Sequence, residues 1–340
     1  MTPLRIAMVN IPFRLPSDER QWITVPPQGY GGIQWIVANK IKGLLELGHE
    51  VFLLGAPGSP RTHPRLTVVP AGEPEDIRAW LKSAPVDVVN DYSCGKVDPI
   101  ELPPGVGLVA SHHMTTRPSY PAGCVYASKA QREQCGGGAD APVIPIGVDP
   151  SLYRPGDRKD DFLLFMGRIS PFKGALEAAA FARAAGRRLL MAGPAWEPEY
   201  LDRIMGEYGD HVTLVGEVGG QERMDLLATA AAILVLSQPV PGPWGGTWCE
   251  PGATVVSEAA ASGTPVVGTS NGCLAEIVPA VGEVVGFGTG FDEREARAVL
   301  SRLPSPAQAR KAAIRCWGHV EIARRYEAVY RDVLAGARWS

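Results

Sequence analysis

The sequence predicts an α/β protein made of two doubly wound domains facing each other across a crevice. Three observations lead there. The chain has 340 residues, long for one domain when about 150 residues per domain is typical. Short β-branched strands alternate with helical segments throughout, which indicates parallel sheets covered by helices on both faces. Residues 149–161 (DPSLYRPGDRKDD) break that alternation, with Pro, Gly and charge displacing apolar residues before it restarts. The expected division is 1–152 and 153–320, with a closing helical segment at 321–340.

Residues 4–9 (LRIAMV) read as a buried-type strand. A Pro-rich loop follows over residues 10–30, with Phe13 and Trp22 among its aromatic residues. Gly31 and Gly32 close it, and a helical pattern covers residues 33–47, with apolar positions at 33, 36, 37, 41, 44 and 45. Gly48 ends that helix, and residues 50–54 form the next strand. A Gly pair at a helix N-terminus lets backbone approach a ligand closely, although a tight turn also needs glycine. Further strands are expected at 66–69, 86–90, 107–111 and 143–146, with helices at 73–82 and 129–135. Ligands of such sheets sit beyond the carboxyl ends of strands. Asn90, Asp91, His112 and His113 occupy those ends.

In the second half, strands are expected at 162–166, 189–192, 212–215, 233–236, 265–267 and near 283–285. Helices are expected at 174–185, 198–208, 221–230, 253–261, 292–302 and 307–334. Residues 165–174 (FMGRISPFKG) place Arg168 and Lys173 on a loop entering a helix. Two cations near a helix start oppose its dipole, so an anion is expected to offset them. Arg forks onto phosphate oxygens and Lys adds a mobile point charge. The plain alternative is two solvated basic residues. Residues 249–269 (CEPGATVVSEAAASGTPVVGT) read as loop, helix, Gly stop and strand, with Glu250 ahead of the helix and Glu258 inside it. The helix N-terminus, with its unpaired N–H groups, suits a phosphate. The plain alternative is a buried helix whose acids are cap and solvent residues.

Composition narrows the class. Hydrophobic residues make up 45% and charged residues 20%, as in ordinary soluble globular proteins. A net charge of −3, with no basic excess in the first half, gives no reason to expect nucleic acid or membrane lipid as partners. The six cysteines form no CxxC pair and read as reduced thiols. No signal peptide is read ahead of the first strand. The longest apolar run, 228–236, is far short of the ~20 residues of a membrane span. A cytoplasmic protein without stable membrane insertion is expected.

Taken in order, these residues resemble the retaining glycosyltransferases of the GT-B fold, in the large family numbered four. YGGIQWIVANKIKGLLELGHEV (30–51) is similar to that family's Gly-loop and first helix. DVVNDYS (87–93) and LVASHH (108–113) are similar to its strand ends, and YASKAQRE (126–133) and VIPIGVD (143–149) to the segments before its linker. FMGRISPFKG matches its GR…KG element, and Glu250 with Glu258 its E-x7-E pair. The resemblance runs through most of the chain. It implies two Rossmann-like domains and a last helix that crosses back onto the first.

The resemblance implies a nucleoside-diphosphate sugar donor (UDP-, GDP- or dTDP-linked) and a small-molecule or oligosaccharide acceptor. Arg168 and Lys173 would neutralise the departing diphosphate, Glu258 would bind the ribose, and Glu250 would contact the transferred sugar. Gly252 and the backbone N–H groups of Ala253 and Thr254 would join them, and Gly31 and Gly32 would let the first loop approach the diphosphate. The family histidine maps to His113, with Ser111 in the usual Ser/Thr place; a one-residue slip would put His112 there. Acceptor contacts fall on residues 10–30 and 114–121, with Phe13, Trp22, His112 and Met114 as candidates. No cofactor and no metal are implied, and the sequence has no convincing Asp-x-Asp pair. Retention is attributed to a front-face reaction; a double displacement needs a carboxylate nucleophile, for which Asp91 is a weak candidate.

The chain departs from the family pattern at several points. Gly252 replaces the usual aromatic, Ala253 the following Gly, and Asn90 and Tyr92 stand where histidines are common. Residues 238–248 (QPVPGPWGGTW) are richer in Pro and Trp than usual, with Trp244 and Trp248 either stacking on a sugar or packing. An Ala-, Arg- and Pro-rich composition with compact size suggests secondary metabolism, similar to oligosaccharide-antibiotic (avilamycin-type) glycosyltransferases. The alternatives are a sugar-nucleotide epimerase, a glycosyl phosphorylase or a sensor that binds without turnover. A dinucleotide-linked dehydrogenase is disfavoured, because neither first βα turn contains G-x-G-x-x-G.

Overall fold

The computed structural model describes residues 2–15, 18–29, 31–118, 123–156 and 158–339. Tyr30 of the Gly-loop, Pro16, Asp157 and the end of the 114–121 segment lie outside the described residues. The chain divides into two units, Met1–Gly147 with His319–Ser340, and Val148–Gly318. The junctions thus fall at 147/148 and 318/319, slightly ahead of the expected 152/153 and 320/321.

The first unit holds strands β1 (Arg5–Val9), β4 (Glu50–Leu54), β5 (Leu66–Val68), β6 (Val88–Asp91), β7 (Gly107–His112) and β8 (Cys124–Tyr126). Their order is β5-β4-β1-β6-β7-β8, all parallel. A two-stranded hairpin, β2 (Arg14–Leu15) and β3 (Asp18–Trp22), stands apart from that sheet. Helices α1 (Gly32–Glu46) and α2 (Pro74–Leu81) lie between strands, and α3 (Lys129–Gln134) follows β8. α1 buries Val37 and Leu44 completely, each contributing about 1.5–3 kcal/mol. The final helix α11 (His319–Leu334) packs along α1. A Cβ at Gly43 would lie 2.4 Å from the His319 carbonyl oxygen, so that close approach needs glycine.

The second unit repeats the scheme. Its strands are β9 (Phe162–Met166), β10 (Arg188–Ala192), β11 (Val212–Gly216), β12 (Ala232–Val235), β13 (Val266–Gly268) and β14 (Gly282–Val284). They run in the order β11-β10-β9-β12-β13-β14, again parallel. The helices are α4 (Ala175–Ala184), α5 (Pro198–Tyr208), α6 (Gly220–Thr229), α7 (Thr254–Ala261), α8 (Leu274–Ile277), α9 (Glu293–Arg302) and α10 (Pro306–Trp317). In both sheets the order reverses beside the first strand, at β1/β6 and at β9/β12. This is the switch point where ligands of such folds bind.

Four expectations change. Residues 143–146 are no strand: Pro142 and Pro145 lack the N–H a ladder needs, and only Val143 bridges to Tyr126 at the end of β8. β8 itself was not expected, being three residues long. The 10–30 loop contains the β2–β3 hairpin. The segment 307–334 is two helices, because Gly318 (φ −54°, ψ 131°) leaves the helical region between α10 and α11. No helix among the described residues is long and apolar enough to cross a membrane.

Candidate functional site

In the second unit the candidate residues gather beyond the carboxyl ends of β9, β12 and β13. Arg168 follows β9 directly, and Lys173 closes the 3-10 turn Pro171–Lys173 that leads into α4. The Phe172 ring centroid is 5.6 Å from the Arg168 guanidinium carbon and 5.9 Å from Lys173 Nζ. Their surroundings differ. Lys173 Nζ donates to both oxygens of Glu250 at 2.8 Å, so the anion expected to offset it is the chain's own carboxylate. Arg168 has no carboxylate partner among the described residues, and its Nε is enclosed without a hydrogen bond.

Glu250 is nearly fully buried. Its Oε2 also lies 3.0 Å from Ser237 Oγ and accepts from Trp248 Nε1 at 3.2 Å. Its backbone N–H donates to Asn271 Oδ1, and its carbonyl accepts from the Cys273 N–H. Trp248 is therefore a packed, hydrogen-bonding residue, whereas Trp244 is half exposed. Downstream, Gly252 and Ala253 lead into α7, whose first residue Thr254 presents one of the unpaired first-turn N–H groups. The Ala253 N–H is already engaged by Cys273 Sγ at 3.3 Å. Burial, and then the Glu250 charge, push that thiol well above its ordinary pKa, so it stays protonated.

Glu258 is on the α7 face that turns inward and is 2% exposed. Its Oε1 accepts from Tyr153 Oη at 2.9 Å, and its Oε2 pairs with Arg223 of α6. Arg223 also donates to Tyr153 Oη at 3.1 Å. The carboxylate expected to hold a ribose is thus already part of a buried three-residue network. Burial, then Glu258, raise the Tyr153 phenol well above its usual value and keep it a donor.

In the first unit the two histidines separate cleanly. His112 Nε2 is bonded to the Thr116 carbonyl at 2.7 Å, and its ring meets Tyr126 edge-on. His113 stacks flat on Tyr92, with ring centroids 5.3 Å apart, and its Nε2 is enclosed without a partner. It lines a small cavity together with Lys40, Tyr92, Ile146 and Tyr326. Lys40 is buried against the rings of Tyr326 and Tyr92 and reaches Asn90 Oδ1 at 3.3 Å. Burial lowers its pKa well below that of an ordinary lysine. Asp91 is buried, with Oδ1 accepting the Ser93 N–H, which places the weak nucleophile candidate inside a turn.

His113 carries a pH consequence. Burial, then Lys40 and His112, push its pKa down to about 3. Unfolded histidine titrates near 6.5, so between about pH 6.5 and 3 the unfolded chain binds a proton that the folded chain does not. Its contribution to stability is complete above that window and falls as pH drops through it. A His113→Phe variant is expected to flatten the acid limb of unfolding free energy against pH by up to about one proton. An unchanged slope would show that the folded ring already takes up the proton.

The other first-unit candidates are less uniform. Gly31 precedes α1, where an added Cβ would press on Gln34 and Pro27, whereas a Cβ at Gly32 would meet nothing within 4 Å. Phe13 is exposed, with Lys96 Nζ 4.8 Å from its ring centroid. Trp22 is half-buried against Gly72, with Arg14 stacked on it at 3.7 Å, so its ring is largely occupied by the protein. The Met114 carbonyl accepts from Gln131 Nε2, which ties that residue's backbone to α3.

Four residues beside these candidates were not identified from the sequence: Tyr153, Trp196, Arg223 and Ser237. None lies in a recognisable motif. Arg223 is 35 positions from its carboxylate, and only the strand order brings α6 beside α7.

Residues 154–291 match the family model described as glycosyl transferases group 1. The MMP α-(1→4)-mannosyltransferase of Mycolicibacterium hassiacum is 29% identical over 209 residues, covering 57% of this chain and 48% of that protein. The chain therefore spans about half the length of the curated relatives it matches. The crystal structure of AviGT4, a glycosyltransferase involved in avilamycin A biosynthesis, is similar over 99% of this chain and 100% of its own, at 66% identity and a TM-score of 0.96. Anabaena HepE, solved in complex with UDP and glucose, shares the fold at 15% identity and a TM-score of 0.66, over 97% of this chain and 100% of its own.

Proposed function

Given that this chain belongs to the glycosyl transferases group 1 family, we propose that it transfers a sugar from a nucleoside-diphosphate sugar to an acceptor hydroxyl with retention of configuration. The observation that carries this reading is the contrast between the two cations near Phe172. Arg168 keeps its charge uncompensated by any carboxylate among the described residues, which suits a diphosphate. Lys173 is held by Glu250 and becomes available when sugar hydroxyls donate to that carboxylate instead. In this reading the donor C1–O bond breaks and its electron pair goes to the diphosphate. The acceptor oxygen bonds to C1 on the same face, and its proton passes to the departing phosphate oxygen. Arg168 and Lys173 stabilise the charge that develops. His113 is proposed as the histidine that takes part in the reaction.

Positive charge from these two side chains does the work a divalent cation would do, so the reaction is proposed to need no metal or cofactor. The first unit is proposed to bind the acceptor, a small molecule or oligosaccharide. The similarity to AviGT4 supports a role in oligosaccharide-antibiotic biosynthesis; a cytoplasmic location is proposed with it.

Calorimetry with UDP, GDP, ADP and dTDP, each with and without EDTA, tests the donor site. Binding of one diphosphate, unchanged by EDTA, is the expected result. Binding that EDTA abolishes would overturn the metal-free reading, and no binding of any of them would overturn the donor site. With the matching nucleotide sugar, release of diphosphate only when an acceptor is present separates transfer from epimerisation. Anomeric couplings of the product by NMR then read retention directly.

A further inference from the structure

Trp196 lies outside every motif in the sequence and is 60% exposed, an unusual position for a large aromatic side chain. The loops after β9 and β10 remain paired past the end of the sheet. The Gly167 N–H donates to the Ala192 carbonyl and the Ile169 N–H to the Pro194 carbonyl, both at 2.9 Å, and Ile169 bridges to Ala195. This pairing demands glycine at 193, where φ is +140° and a Cβ would lie 1.9 Å from the Gly167 carbonyl oxygen. With Ile169 opposite Ala195 in this parallel pairing, residues 168 and 196 are diagonal neighbours on the same face. The Arg168 guanidinium carbon sits 3.6 Å from the centroid of the Trp196 ring.

The choice of an aromatic face over a carboxylate has a physical consequence. A carboxylate would hold the guanidinium in place but cancel its charge and compete with an incoming anion for the N–H fork. A π face restrains the same plane through stacking and leaves the charge and the outward N–H groups uncommitted. Lys173, also near Phe172 but tied to Glu250, shows the opposite arrangement. We propose that Trp196 is a positioning residue that holds the Arg168 guanidinium flat and ready for the phosphates of the donor. The proposal rests on the reading of Arg168 as a phosphate-binding residue.

The test is calorimetry with inorganic pyrophosphate and with the nucleoside diphosphate that binds the wild type. The proteins are wild type, Trp196→Ala, Trp196→Phe, Arg168→Ala and the Trp196→Ala/Arg168→Ala double variant. Because the indole is mostly exposed, its removal is expected to leave the melting temperature unchanged. Trp196→Ala is expected to weaken pyrophosphate and the nucleoside diphosphate equally, by about two- to fivefold. Trp196→Phe should recover part of that loss, and in the Arg168→Ala background the Trp196 change should have no further effect.

A loss confined to the nucleoside diphosphate would make the indole a platform for the base and overturn the proposal. So would an equal loss in both backgrounds, or no loss at all. Arg168→Ala binding pyrophosphate as tightly as wild type, or a wild type that binds neither probe, would remove the phosphate reading of Arg168 itself, and the proposal with it.

Discussion

An Arg168→Ala variant is expected to lose about 10²–10³-fold in kcat/KM with its nucleotide-sugar donor, the cost of removing one preorganised donor from a developing anion. The effect should appear in kcat as much as in KM, because charge on the diphosphate grows as the C1–O bond breaks. The fold has little stake in this side chain. Arg168 lies on a loop, has no ion-pair partner among the described residues and touches mainly Trp196 and Phe172. A melting temperature close to wild type should therefore accompany the loss of turnover. Arg168→Lys keeps the charge and loses the fork, so it should fall between the two. Rates near wild type for Arg168→Ala would remove it from the site.

Glu258→Ala is expected to act first on stability. The change leaves Arg223 charged, mostly buried and without its carboxylate, a situation that costs about 3–5 kcal/mol. In a unit of this size that corresponds to a fall in Tm of the order of 10 °C. Replacing Arg223 by Met in the same chain should restore much of it, since no uncompensated charge then remains. An unchanged Tm for Glu258→Ala would mean that water reaches the Arg223 guanidinium. Glu258→Gln separates this role from the proposed ribose contact. The amide oxygen still accepts from Arg223 while its N–H donates to Tyr153 Oη, so the protein stays folded with a smaller fall in Tm, and any loss specific to the ribose appears as weaker nucleoside diphosphate binding with pyrophosphate binding unchanged.

Much of the fold was legible because its signals are local. Strand β9 and helix α5 lie at the residues expected from hydrophobic runs bounded by Gly, Pro and charge, and β4 does as well. The misses were also local in cause. The segment 143–146 looks apolar enough for a strand, but its prolines cannot feed a ladder. The long helical pattern after residue 307 hides a break, because one glycine can be tolerated in a helix or can end it.

The sequence by itself determined most of the order of strands and helices, the Gly-marked loops at strand ends, and the placement of Arg168, Lys173, Glu250 and Glu258 in one unit. It did so through periodicity and short motifs, which act over a few residues. Only the tertiary structure decided how those groups are shared. Lys173 meets Glu250 across 77 positions, Glu258 meets Arg223 across 35, and Arg168 meets a tryptophan with no motif around it. Such partners depend on which strands lie side by side at the switch point. That order emerges from the packing of the whole sheet and is not encoded in any local period of the chain.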